Sequence, residues 1–337
     1  MRMRKIVALA LVLALVLTLC GCESSGAVKT EKSDKNGYKI AVVPKTISIS
    51  WFQRMEQGVK EYNAEHGTDY FFGGPTDVAD QVTYIEQLLA EDWDAICIVP
   101  HDVESIAPML EKARKEGIVV ITHEAETIDP KYFDYDLEPF VSTETGAHYG
   151  ETIVNSCGGE GMYFQFVGSL NAVSHNVWCD AADEYIAAHS DMVKLGRYET
   201  QEDMAAAYNQ TKELLQAHPE IVAIQGCCST DLAGAAKAVE ELGLQGKITI
   251  TGNALPSVSK EHTLNGTIET FSMWDPGMAG KAMLALAEQV LSEKESFDPT
   301  CCTISVPGYE HMTVKNNVLY GQARCDVTKD NIDDYGF

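Results

Sequence analysis

From Tyr38 onward the chain repeats one pattern, a short apolar run followed by an amphipathic stretch, about every 25 to 30 residues. That alternation is the signature of βαβ units, and so of an α/β fold built on parallel sheets covered by helices. The runs "KIAVVP", "DYFFGG", "AICIVP", "IVVITH", "MYFQFVG", "VKLGRYE", "IVAIQGC" and "ITITGN" read as strands. Between them, "DVADQVTYIEQLLAED" puts Val78, Val82, Ile85 and Leu89 on one helical face, and "VESIAPMLEKARKEG" does the same with Ile106, Met109 and Ala113 before closing at Gly117. These stripes are core. Around "FVSTETGAHYG" a strand ending near Val141 leads into a new helix with Ser142 or Thr143 as N-cap, which divides the units into two sets and predicts two lobes.

In open α/β sheets ligands bind beyond the carboxyl ends of the strands, so the informative side chains are those immediately after each run. There the chain places Trp51, Phe52 and Trp274, which offer flat apolar faces, and Lys45, Glu124, Ser174, His175, Asn176, Cys227, Ser229, Asp231, Asn253 and Asp275, which are mostly directional donors and acceptors. A sugar needs both, because its C–H faces pack on rings and its hydroxyls need directed hydrogen bonds. Singly, each has a duller reading: Trp51 or Phe52 as a staple for the next helix, Ser229 as an N-cap, His175 as a surface residue. Their recurrence after strand ends favours a site. Trp274 precedes "DPGMAGKAML", a helix start with Asp275 as N-cap and Pro276 at the first position. The indole is expected against a ligand or packed in a hinge, with Asp275 either capping or accepting a ligand hydroxyl.

The formal charge of −25 would repel phosphate backbones and argues against nucleic acid as a partner. No G-x-S-x-G elbow, P-loop, HExxH, or G-x-G-x-x-G after the first strand occurs, which points to binding without catalysis. The N-terminus "MRMRK" followed by the 14-residue run "IVALALVLALVLTL" and "LCGC" reads as a signal peptide over residues 1–21, with Cys22 the lipidated residue. The run is short for a spanning helix. Cleavage there removes three basic residues and no acidic one, moving the charge from −25 to −28. Residues 22–37 carry the lipidated cysteine and a polar tether. Export admits disulfides among Cys97, Cys157, Cys179, Cys227, Cys228, Cys301, Cys302 and Cys325, with no pairing readable from the spacing. The absence of C-x-x-C and of ligand spacing near the two "CC" pairs argues against zinc, and no cofactor is expected.

The stretches "KIAVVPKTISISWFQRMEQGVKEY", "DQVTYIEQLLAEDWDAICIVPHD", "TKELLQAHPEIVAIQGCCSTDLAGAAKAVEELG", "NGTIETFSMWDPGMAGKAMLALAEQVL" and "VTKDNIDDYGF" together resemble the type I periplasmic sugar-binding proteins of ABC importers. The resemblance runs from about Tyr38 to the end. "MWDP" and "TKDNID" are most similar to the branch holding rhamnose-binding proteins and the autoinducer-2 receptor. It implies two Rossmann-like lobes joined by three crossovers, the first from residues 38–143 and 275–298, the second from 144–274 and 299–337. It further implies a sugar held in the cleft, hinge closure, and delivery to a membrane permease driven by an ATPase, while the N-terminal signal implies extracytoplasmic anchoring to the cell membrane by lipid at Cys22. A signalling partner in place of the importer, and autoinducer-2 in place of a sugar, are the alternatives. The autoinducer-2 receptor resembles this chain at Lys45 but carries aspartate at Glu124, Asp-Gln at Ser174-His175, and proline and alanine at Cys227 and Ser229, which implies a reshaped pocket.

Overall fold

The computed structural model describes residues 37–337. The signal peptide over 1–21, Cys22, and all of the tether except Gly37 lie outside the described residues. The first half alternates as expected: β1 (Ile40–Val43), α1 (Ser50–His66), β2 (Phe71–Phe72), α2 (Gln81–Leu88), β3 (Ala95–Ile98), α3 (Val103–Lys115), β4 (Val119–Thr122) and β5 (Tyr135–Glu138). Then follow α4 (Ser142–Cys157), β6 (Met162–Val167), α5 (Val173–His189), β7 (Val193–Glu199), α6 (Met204–Ala217), β8 (Ile221–Gly226), α7 (Ser229–Glu241), β9 (Thr249–Gly252), α8 (Pro256–Leu264) and β10 (Thr270–Met273). The chain ends in α9 (Pro276–Glu293), β11 (Thr313–Lys315), β12 (Val318–Tyr320) and β13 (Cys325–Thr328).

The first sheet has the order β11-β12-β5-β4-β3-β1-β2 and the second β7-β6-β8-β9, with β10 and β13 paired antiparallel beside it through the Asn253 to Ser272 bridge. Apart from the β11–β12 hairpin, neighbours in the two larger sheets run parallel. Burial on both faces is why β1 reads as a continuous apolar run. Its side chains alternate: Ile40 and Val42 join Met55, Val59 and Met283 under α1 and α9, while Ala41 and Val43 join Ile85, Ile106 and Leu110 under α2 and α3. Helices therefore cover both faces. In each sheet the first strand in sequence, β1 or β6, lies inside the order, so a crevice opens beyond the carboxyl ends where the connections reverse.

The chain passes between the sheets three times, at Pro139–Val141, at Trp274–Asp275 and at 321–324. One expectation changes: residues 299–337 do not all join the second lobe. β12 pairs parallel with β5, Val318 opposite Asp136, and β11 folds back on it through Asn316 and Asn317, both left-handed at φ 54° and 64°. This two-residue turn is the kind that matches strand twist, and the hairpin covers an otherwise open edge of β5. The cap of α4 is also different. Val141 occupies the N-cap position without a side-chain bond, and Ser142 is the first helical residue.

Candidate functional site

Post-strand residues of the two sheets face one another across a cavity. Lys45, Ile49, Trp51, Phe52 and Glu124 line it from the first sheet, His175, Glu202, Cys227, Cys228, Ser229 and Asn253 from the second, and Trp274 from a crossover. Trp51 and Phe52 sit in the first turn of α1 rather than in a loop, because the buried stripe Trp51, Phe52, Met55, Val59, Tyr62 begins there. The cavity measures about 10 Å3, room for about one water and too little for a sugar with its walls as they stand.

Lys45 is at its centre. Its Nζ donates to Glu124 at 2.7 Å within the first lobe and lies 3.4 Å from Glu202 of the second, and all three are buried. Burial opposes the ammonium, but Glu124 and Glu202 outweigh it and hold the Lys45 pKa well above the usual lysine value. Burial likewise disfavours the Glu202 carboxylate, yet Lys45 foremost brings that carboxyl down to about 2. Burial, then the Lys45 charge, push His175 down to about 3, so its ring is neutral. Its Nδ1 accepts from the Gly168 N–H at 3.1 Å, which leaves the proton on Nε2. Two further bonds cross between the lobes, His101 to Gln201 at 3.2 Å and Asn171 to Asp102 at 2.8 Å.

Trp274 is only 1% exposed and forms the hub of an aromatic cluster, edge-on to Trp51 at 4.6 Å, Phe140 at 5.4 Å and Trp178 at 5.9 Å. Its Nε1 and the Oδ1 of Asn253 have no hydrogen-bond partner among the described residues. Buried polar atoms of this kind gain from a polar ligand. His175, Glu202 and Cys228 bring donor atoms within 4.8 Å of one another, but the Lys45 ammonium beside Glu202 opposes a cation there.

Four residues expected at the site lie outside the lining, three of them engaged elsewhere and Ser174 with its buried hydroxyl unpartnered among the described residues. Ser174 is buried in the first turn of α5, outside the lining. Asn176 staples its own loop, donating to Leu170 O and Ala172 O and accepting from Arg197. Asp231 accepts from the amides of Cys227 and Cys228 and from the Thr200 hydroxyl, closing the start of α7, with burial pushing its carboxyl up to about 6. Asp275 caps Gly277 N at 2.7 Å and takes a two-pronged bond from Arg54, at 2.8 and 2.7 Å. Helix caps and a guanidinium had the prior claim on these carboxylates. Ile49, Glu202 and Cys228 were missed. Glu202 follows "VKLGRYE", which with "DYFFGG" is one of the two expected strands whose exit loops were not read for site residues.

The sequence profile described as Periplasmic binding protein domain matches residues 40–295. The chain belongs to the periplasmic binding protein family. Members of this family are non-catalytic solute-binding proteins, and membership supports an extracytoplasmic location. A D-ribose/D-allose-binding protein of Pseudomonas aeruginosa is 27% identical over 295 residues, covering 80% of this chain and 88% of that protein. Among solved structures, an ABC transporter solute-binding protein from Clostridium phytofermentas with bound L-rhamnose superposes with TM-score 0.81 at 20% identity, covering 88% of this chain and 98% of the other. LsrB from Clostridium saccharobutylicum in complex with AI-2 gives TM-score 0.79 at 22% identity, covering 89% and 100%. These likenesses establish the two-lobed periplasmic binding protein fold.

Proposed function

We propose that this chain is the binding component of an ABC importer that clamps one small neutral sugar between its lobes and presents it to a membrane permease, uptake being driven by the associated ATPase. The observation that carries the reading is the Lys45 ammonium held between Glu124 and Glu202 in a cavity walled by Trp51, Phe52 and Trp274. Donor, acceptors and flat faces match a polyol, and a sugar bound between the lobes replaces the Lys45 to Glu202 contact with its own hydroxyls. One cation beside two carboxylates leaves a net negative lining, which disfavours uronates and sugar phosphates. The relatives support the class, since the Pseudomonas protein is named for D-ribose and D-allose and the Clostridium structure holds L-rhamnose. Asn253 and the Trp274 indole serve as orienting groups, and Cys22 carries the lipid that keeps the protein at the membrane.

The test is a thermal-shift panel of neutral pentoses, hexoses and deoxyhexoses, with uronates and autoinducer-2 alongside. At hundred-fold excess over Kd a specific ligand stabilises the fold by about 2.7 kcal/mol. A neutral sugar is expected to raise Tm and uronates to leave it unchanged. A shift with autoinducer-2 alone would replace the sugar reading with a signal receptor.

A further inference from the structure

Two thiols, one on a residue lining the cavity and one behind it, stand close enough to be one bond. Cys179 Sγ, on α5, lies 3.5 Å from Cys227 Sγ, at the end of β8, and both residues are fully buried. A disulfide needs the sulfurs at roughly 2.05 Å, a shift of about 1.5 Å shared between two side chains. The neighbouring cysteine, which shares the cavity wall with Cys227, has different company: Cys228 Sγ turns toward His175 Nδ1 at 4.0 Å. Cys97 is spent on the first sheet, and Cys157, Cys301, Cys302 and Cys325 bond to other groups. Among the described residues, Cys179 and Cys227 alone have sulfurs in mutual contact.

We propose that Cys179 and Cys227 form a structural disulfide in the exported protein, closed while the chain folds outside the cytoplasm. The oxidant is a small-molecule or protein disulfide. The Cys179 thiolate attacks one of its sulfurs and releases one thiolate; Cys227 then attacks the mixed disulfide at Cys179 and releases the second. The two protons lost by the cysteines end on the two released thiols, and the oxidant's S–S bond is exchanged for the protein's. The bond would tie the helix bearing His175 to the turn bearing Cys228 and Ser229, bracing the second lobe's half of the cavity across 48 residues of sequence. Burial then shields it, so the native protein resists reductants that open it once the chain is unfolded.

The inference is independent of which ligand the cleft takes. The full-length chain, unfolded in urea and refolded in a glutathione and glutathione disulfide mixture, is alkylated, digested without reduction and mapped by mass spectrometry. The expected result is a peptide joining Cys179 to Cys227, lighter by two hydrogens than its reduced parts, with Cys228 alkylated. Relative to protein refolded with excess reductant, Tm is expected to rise by about 5 °C, a gain that Cys179→Ser loses and Cys301→Ser keeps. Alkylation of both Cys179 and Cys227 in the refolded chain, or a bond joining Cys227 to Cys228, would overturn the proposal. The mapping uses the wild-type chain, so it decides the matter even where Cys179→Ser fails to fold.

Discussion

Glu202 reaches the cavity from a strained loop: Gln201 and Glu202 are both left-handed, at φ 56° and 58°, and its counterpart Glu124 across the cleft is left-handed at φ 60°. Each costs a non-glycine residue about 1–2 kcal/mol, a cost sustained because the backbone aims a carboxylate at Lys45. The Glu202 carboxyl lies at about 2 in the fold against an ordinary 4.5. A lowered acid stabilises the fold fully above the higher value, and that contribution is lost as pH falls through the lower one. Glu202→Gln should therefore be less stable than wild type by about 3 kcal/mol near pH 6, with the difference shrinking between pH 4.5 and 2 in urea titrations. A constant difference over that range would show that Glu202 is not paired. Trp274 was read from sequence as either a stacking ring or a hinge ring, and its burial among Trp51, Phe140 and Trp178 makes it core as well as cavity wall. Trp274→Ala is expected to cost roughly 3 to 5 kcal/mol of stability along with affinity, and an unchanged Tm would contradict this packing. Reading the residues after each strand found most of the lining, because parallel strands all deliver their exits to one edge. It failed for Asp231 and Asp275, since nothing local distinguishes a carboxylate bound to its own helix start from one aimed at a ligand.

At the scale of elements, the strands buried on both faces were legible because their apolar runs are unbroken: "IAVV", "AICI" and the core of "MYFQFV" each lie within an expected strand. β11 and β12 were not, being three residues each, with β11 exposed or half-buried. Their place on the first sheet depends on β5, distant in sequence, whose edge they cover. One close approach between helices was also invisible to periodicity. α1 crosses α9 where Gly58 meets Gly277, and a Cβ at Gly58 would fall 2.1 Å from the Gly277 carbonyl oxygen. That contact sets the start of α9, and with it Asp275 and the crossover bearing Trp274. Gly58→Ala must push the helices apart and is expected to lose about 1–3 kcal/mol in urea unfolding, whereas an unchanged midpoint would mean that the crossing yields freely.

For the whole molecule, two lobes joined by three crossings make a clamp whose closed form is held by Lys45 to Glu202, His101 to Gln201 and Asn171 to Asp102. Polar latches of this kind are exchanged on opening for bonds to water, so opening stays accessible while the crossovers keep the lobes in register. The anchor belongs to the same scale. Cys22→Ser is expected to release the protein from the membrane fraction with ligand binding intact, and retention there would sink the lipid assignment. The central claim, a neutral sugar held between the lobes by the post-strand residues, is tested most directly by titrating the panel sugars while following tryptophan emission, since Trp51 and Trp274 line the cavity. One neutral sugar should give a saturable single-site change, and Asn253→Ala, which leaves only a 3.4 Å bond to Cys227 O to lose in the fold, should weaken it by roughly ten-fold. No saturable signal from any neutral sugar, or binding that Asn253→Ala leaves untouched, would contradict the account.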